Sequence, residues 1–354
     1  MNGGMKMCQP ITHFLAAQKG LEQLSIVQGL DAYLALGSFG PDLFYLLSGK
    51  GAHADTVHAS GSFATFCNMV DVTKNTMSYS EESGRKQLVF ALGFYAHVIV
   101  DCVFHPYVYR RSLDHWAKHD VIFELKHKEI EAAIDQIIQE EIVGEQMAVP
   151  NPLLCADHSG LLDQDIAYLF HQALVAVYPN SIGTSLIPYA TEEANHPIQQ
   201  AYQQYCRMTE MLYGAHNILF QLEKIAEGIL PNQLERQFMN QEKQSIVQHH
   251  SWPPNDVIIP FTYNYLEMFK MAVSGVWMMS NTVQEFLQHS GDRKAIDFLK
   301  GQNCLYLDQD WNLDTGLPSL ENQSPQLMED GHGRFAYGIA ILENNYNQLQ
   351  QKER

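Results

Sequence analysis

Between Gly93 and Pro106 the chain reads GFYAHVIVDCVFHP. On an α-helix His97, Asp101 and His105 fall one turn apart, on a face that drifts only slowly around the axis. Val98, Ile99, Val100, Cys102, Val103 and Phe104 lie between them, so this helix is apolar nearly all round and is expected at the centre of a core. Three polar side chains in such a helix are costly unless they are paired or bound to a cation. A competing reading has the three satisfy one another with no ion. Pro106 predicts that the helix ends directly after His105.

The rest of the chain supports an all-α, multi-helix bundle. Apolar residues recur at three- and four-residue spacing over 13–36, 60–80, 86–105, 115–142, 161–177, 194–227 and 261–289, while alternating stretches are few and short. Breaks are expected at Gly37–Asp42, Pro106, Pro150–Pro152, Pro179–Pro188, Pro231 and the Trp252-Pro253-Pro254 turn. After about residue 290 the helical period fades and Asn, Gln, Asp and Gly rise. The expected organisation is a helical domain over 1–289, which carries the candidate ligands, and an extension over 290–354 packed on or near it.

Charge narrows the function classes. Forty acids against 22 bases leave a formal net charge of -18. That argues against a nucleic-acid phosphate binder, which needs clustered Lys and Arg, so no nucleic-acid partner is expected. It also argues against a polybasic membrane anchor. The same acidity, with 16 histidines, suits divalent cations. Six cysteines are scattered without a CxxC pair and read as buried thiols rather than a zinc ribbon or disulfide scaffold. No run of 18 or more apolar residues is present, so no transmembrane segment is expected. The opening MNGGMKMCQPITHF lacks the apolar stretch of a signal peptide, which leaves two readings: none is used, or it has been removed.

Further candidate ligands surround the central helix in sequence. In KHKEIEAAID (126–135), His127 and Glu131 share a helix face at i, i+4, a spacing that suits two ligands of one zinc ion. Alternatively, with Lys126, Lys128 and Glu129 beside them, they are ordinary surface residues of an exposed helix. In GSFGPDLFY (37–45) the glycines and Pro41 predict a tight turn with Asp42 at its tip, as a ligand or as the N-cap of a short helix. His53 and His58 are placed in a polar loop, where one of them completes a site. His13 opens the first helix as a capping residue or a ligand. Phe44, Tyr45, Phe104 and Tyr107 flank these positions, either as core or as walls of a ligand pocket.

In this order the motifs resemble the zinc-dependent phospholipase C family, which includes secreted bacterial phosphatidylcholine-hydrolysing enzymes and clostridial alpha-toxins. They are TH (12–13), the PDxFY-like turn (37–45), an isolated His, HxxxDxxxHP (97–106) and HxxxExxxD (127–135). Asn240, Trp252-Pro253 and a helix from about Phe261 extend the resemblance more loosely. It implies the helical fold shared by these enzymes and the P1-type nucleases, with a multinuclear site of two or three Zn²⁺. One zinc would take Asp42, His58, His97 and Asp101, with His58 preferred over His53 because Phe63 follows it at +5. A second would take His105, His127 and Glu131. A third would use His13 with Asp101 as a bridge. Family members complete that third site with an N-terminal Trp; here residue 1 is Met and the first Trp is Trp116, so the third site is weaker, differently liganded or empty.

The implied activity is hydrolysis of the glycerol-side phosphodiester of a phospholipid at a membrane surface, with phosphatidylcholine the expected substrate. The products are diacylglycerol and a phosphorylated headgroup, and Asp42 orients or activates the attacking water. The resemblance also implies an enzyme secreted by, or delivered outside, a producing bacterium, as with the family's virulence factors. The alternatives are a P1/S1-type zinc nuclease and a non-catalytic scaffold stapled by zinc. The nuclease relatives tend to carry Asp where Glu131 stands. Structural zinc sites are usually closed and rich in Cys, unlike this carboxylate-rich set.

Overall fold

The computed structural model describes residues 10–47, 49, 51–113, 121–144, 149–213, 265–289, 291–301, 311–313 and 317–318. Among them the α-helices run, in order, α1 Pro10–Leu21, α2 Asp31–Phe39, α3 Gly51–Ala59, α4 Ser62–Met77, α5 Glu81–Leu113, α6 Val121–Ile142 and α7 Gln164–Val177. They continue as α8 Ile182–Leu186, α9 Pro197–Tyr213, α10 Tyr265–His289 and α11 Ala295–Gly301. Two short strands, β1 Trp311–Asn312 and β2 Leu317–Pro318, pair antiparallel. The expected all-α bundle is the fold observed, with this hairpin as its small β element.

The 33-residue α5 is the axis of the bundle, packed against α1, α2, α4, α6, α7 and α10. The part Glu81–His105 is long and apolar enough to cross a membrane, yet its most apolar 18-residue window is buried inside the protein. Its apolar sequence is that of a core helix.

Pro106 does not end α5, which continues to Leu113. A proline inside a helix costs about 3 kcal/mol through its missing N–H and its ring. Burial of Phe104 and Val108 on either side offsets that cost and holds the helix together.

The segment 13–36 is two helices rather than one. Between α1 and α2 the chain makes a 3-10 turn at Ser25–Val27 and passes Gly29 at φ 73°, a conformation that interrupts an α-helix. Both helices bury their apolar residues in the same core, so their patterns join into one apparent period.

Gly37 is not a break either, because it lies inside α2, where α2 crosses α5. A Cβ at Gly37 would stand 2.2 Å from the Phe90 carbonyl oxygen, and one at Gly93 would stand 2.5 Å from that of Leu34. Only glycine permits this backbone approach, which brings the end of α2 onto the ligand face of α5.

Other expectations fall partly outside the described residues. These are the start of the 115–142 pattern, the stretch 214–227, Pro231, Asn240 and the Trp252-Pro253-Pro254 turn. Cys67, Cys102 and Cys155 are buried and Cys206 is half-buried; Cys8 and Cys304 are outside the described set. Beyond α10, α11 packs on α4 and α10, and β1 packs on α3.

Candidate metal centre

Five elements converge on the buried face of α5. That helix presents His97, Asp101 and His105, and α6 presents His127 and Glu131. His13 comes from α1 and His58 from α3. After α2 the chain turns at Gly40 (φ 55°) into the 3-10 helix Gly40–Leu46, whose first turn carries Asp42. All eight are buried except the half-buried His127, and His97 is 0 % exposed.

Asp101 sits at the middle. Its Oδ1 is 2.8 Å from His13 Nε2 and 3.6 Å from His105 Nε2, and its Oδ2 is 3.1 Å from His97 Nε2 and 3.7 Å from His58 Nε2. On one side, His58 Nε2 lies 3.1 Å from Asp42 Oδ1 and 3.4 Å from His97 Nε2. On the other, Glu131 Oε1 lies 3.0 Å from His105 Nε2 and 3.1 Å from His127 Nε2. Three groups have ligand atoms all within 4.8 Å of one another: His13, His97 and Asp101; Asp42, His58 and His97; and His105, His127 and Glu131. A cavity of about 20 Å³ lies between α1, α5 and α6, lined by His13, Asp101, His105, Glu131 and Asp135 among others.

The outer ring nitrogens explain why these side chains suit a cation. His58 Nδ1 faces the Ala54 carbonyl at 2.8 Å, His97 Nδ1 faces that of Ser38 at 3.2 Å, and His105 Nδ1 faces that of Leu313. A carbonyl only accepts, so each Nδ1 carries the proton, and in the neutral ring each Nε2 is a lone pair. Those lone pairs point at carboxylates and at one another. Without a positive charge, acceptor would face acceptor in the core, so the rings must either be protonated or share a metal ion. Nδ1–H bonded to a carbonyl with Nε2 turned inward is the usual arrangement around metal-ligating histidines. Asp42 Oδ2, buried without a hydrogen-bond partner, is a further acceptor that a cation would satisfy.

The carboxylates are held ionised. Burial alone would raise all three, but it is outweighed. His97 and His58 bring Asp42 below the usual range, and His105 and His97 bring Asp101 well below it. His127 and His105 lower Glu131 to about 2. The donor set fits zinc, whose positive charge would take the place of the Nε2 protons that hold these carboxylates ionised and leave neutral imidazole and carboxylate as its ligands.

Several sequence expectations change. Asp42 is neither the tip of a tight turn nor an N-cap: it lies inside a 3-10 helix, and Phe39 precedes that helix without a side-chain cap. His53 and His58 lie on α3, not in a loop. They are five residues apart and so point different ways. His58 enters the cluster, whereas His53 Nε2 is 2.8 Å from Ser185 Oγ. Phe44 and Phe104 are core, while the Tyr45 ring stacks on His58 with centroids 5.7 Å apart.

Two contributors escaped sequence reasoning. Asp135 accepts from the backbone N–H groups of Ile11 (3.1 Å) and Thr12 (2.7 Å), tying the start of α1 to α6 and so placing His13. Burial raises its carboxyl to about 6 despite the bonds from Thr12. Its place in the HxxxExxxD spacing, one turn after Glu131, was the available signal. Leu313 gave none, because it acts through its backbone.

No curated protein and no solved structure matches the chain. The family model for zinc dependent phospholipase C matches residues 12–168, a stretch that contains all eight candidate ligands. The buried His and carboxylate cluster lies inside that stretch, so residues 12–168 are similar, in sequence and in candidate ligand set, to the zinc-dependent phospholipase C family, a family of hydrolases.

Proposed function

We propose that this phospholipase C hydrolyses phosphatidylcholine at a membrane surface, cutting on the glycerol side to release phosphocholine and diacylglycerol. His13, Asp42, His58, His97, Asp101, His105, His127 and Glu131 are its proposed zinc ligands, and two or three ions are expected per chain. The observation that carries this reading is the inward convergence of imidazole Nε2 atoms on ionised carboxylates while the Nδ1 atoms of His58, His97 and His105 are tied to carbonyls.

When bound, zinc supplies Lewis acidity toward phosphoryl oxygens and makes water a stronger acid near neutral pH. The chain's own residues do the rest. Asp101 joins the two halves of the cluster and fixes the facing rings of His13, His97 and His105. Asp42 is ionised despite its burial, and its unpartnered Oδ2 is the acceptor that would orient the attacking water. This division of work needs no Arg or Lys clamp on the phosphate, in keeping with the acidic composition. A phospholipid-cleaving activity endangers the membranes of the cell that makes it, which supports action outside the producing cell.

The deciding experiment measures metal content and activity on phosphatidylcholine vesicles and on single-stranded DNA, before and after chelation. Two or three zinc ions with chelator-sensitive phosphocholine release is the expected result. Nucleotide release instead would assign a P1-type nuclease activity, and zinc without either activity a stapled scaffold. Protein that takes up no zinc would overturn the ligand set.

A further inference from the structure

The family match ends at residue 168, yet one support of the cluster comes from far beyond it. Leu313 directly follows β1 and is fully buried. Its carbonyl accepts from His105 Nδ1, across 208 positions of sequence. Its N–H donates to the His58 carbonyl at 2.7 Å. One residue of the 290–354 extension thus grips two elements that carry candidate ligands, the ring of His105 on α5 and the backbone of His58 on α3.

Comparison with the other rings shows what this contact does. His58 finds its Nδ1 acceptor within its own helix, at Ala54, and His97 finds one on the adjoining α2, at Ser38. Those acceptors come with the family-matched fold. For His105 the acceptor is brought in by the extension. A neutral imidazole has two tautomers of similar energy, and only the form protonated at Nδ1 turns a lone pair at Nε2 toward Glu131 and Asp101. A carbonyl at Nδ1 selects that form, fixes the ring plane and raises the basicity of Nε2.

We infer that the segment around Leu313 is a working part of the metal centre and that the Leu313 backbone is a positioning group for His105. The inference rests on the zinc reading of the cluster. It makes the extension a determinant of metal affinity at the His105, His127 and Glu131 group, rather than an appendage to a self-sufficient domain.

The test uses the full chain in three forms: wild type, Leu313→Pro and Leu313→Met. Proline removes the donor to His58 and displaces the backbone, whereas Met keeps both the burial and the backbone. Zinc affinity is read by competition with a chromophoric chelator, and helix content by circular dichroism. Expected are a zinc affinity about 10–100-fold weaker in Leu313→Pro, the range for losing such a support, wild-type affinity in Leu313→Met, and unchanged helix content in both. In zinc-loaded wild type, the His105 Nδ1–H proton is expected to be shifted downfield and slow to exchange with solvent. That signature needs no variant, so it decides the matter even if Leu313→Pro does not fold. Fast exchange in wild type, or equally tight zinc in a folded Leu313→Pro, overturns the inference. So does a Leu313→Pro that keeps its zinc and gains activity, since the segment would then be a plug. Wild type that binds no zinc overturns the reading of the site as well, which separates the two failures.

Discussion

The Nε2 atoms of His58 and His97 face each other at 3.4 Å while each ring turns its Nδ1 toward a backbone carbonyl. Two acceptors at that distance, on buried rings, require a positive charge nearby. Asp42 and Asp101 supply only more negative charge. The pair therefore links the packing of the bundle to its chemistry, because the elements that bury these rings also set their tautomers.

Asp101 is the residue whose loss should do most harm. It is buried beside four imidazoles, and Asp101→Asn keeps the shape while removing the charge. Breaking a buried charge cluster in this way costs about 3–5 kcal/mol. The variant should bind less zinc, unfold at lower urea, and lose most of the wild-type sensitivity of unfolding to chelators. Full metal content with a wild-type urea midpoint would count against a bridging role.

His58 and His53 should separate cleanly. His58→Ala removes a ring facing Asp42, His97 and Asp101 and is expected to abolish phosphocholine release. His53→Ala loses a contact with Ser185 and should retain zinc and most of its activity. Turnover and zinc content of the two purified variants would check this, and the reverse ranking would exchange the two residues in the ligand set.

Gly40 carries a local demand that no other residue meets. At φ 55° a side chain is strained by about 1–2 kcal/mol, and a Cβ there would stand 2.9 Å from His97 Cγ. Gly40→Ala should therefore lower stability by at least the backbone cost and also weaken zinc retention, because the clash falls on a candidate ligand. Denaturation curves with and without zinc would reveal both effects.

A second histidine pair, outside the cluster, contributes to acid stability. His196 Nδ1 accepts the Ile198 N–H at 3.1 Å at the start of α9, so its Nε2 carries the proton and donates to His171 Nδ1 at 3.1 Å. Burial, then the neighbouring His171, lowers His196 from 6.5 to about 4. Between those values the unfolded chain binds the proton and the folded one does not. The stability is thus complete above pH 6.5 and is lost as pH falls toward about 4. His196→Asn keeps an acceptor for Ile198 and removes the titration, so its stability–pH curve should be flatter across that window. An unchanged acid limb would refute this assignment.

The central helix was legible because its evidence is local. His97, Asp101 and His105 share a face by the α-helical repeat alone, and so do His127 and Glu131. Pro106 misled because a proline's cost is local while the burial that offsets it, at Phe104 and Val108, is tertiary. Gly37 misled for a related reason. Its sequence suggests a turn, but the missing side chain serves the crossing of α2 over α5.

The sequence by itself determined the helical class, the acidic and histidine-rich ligand set and the register of ligands within each helix, since side-chain period follows from backbone geometry. Tertiary structure decided which histidine of α3 turns inward, how Asp42 reaches His58 from a 3-10 helix, and that the carbonyl of Leu313 meets His105. Contacts of that kind have no periodic signature. A backbone carbonyl is chemically the same at every residue, and only the packing of distant segments brings one of them to the ring that needs it.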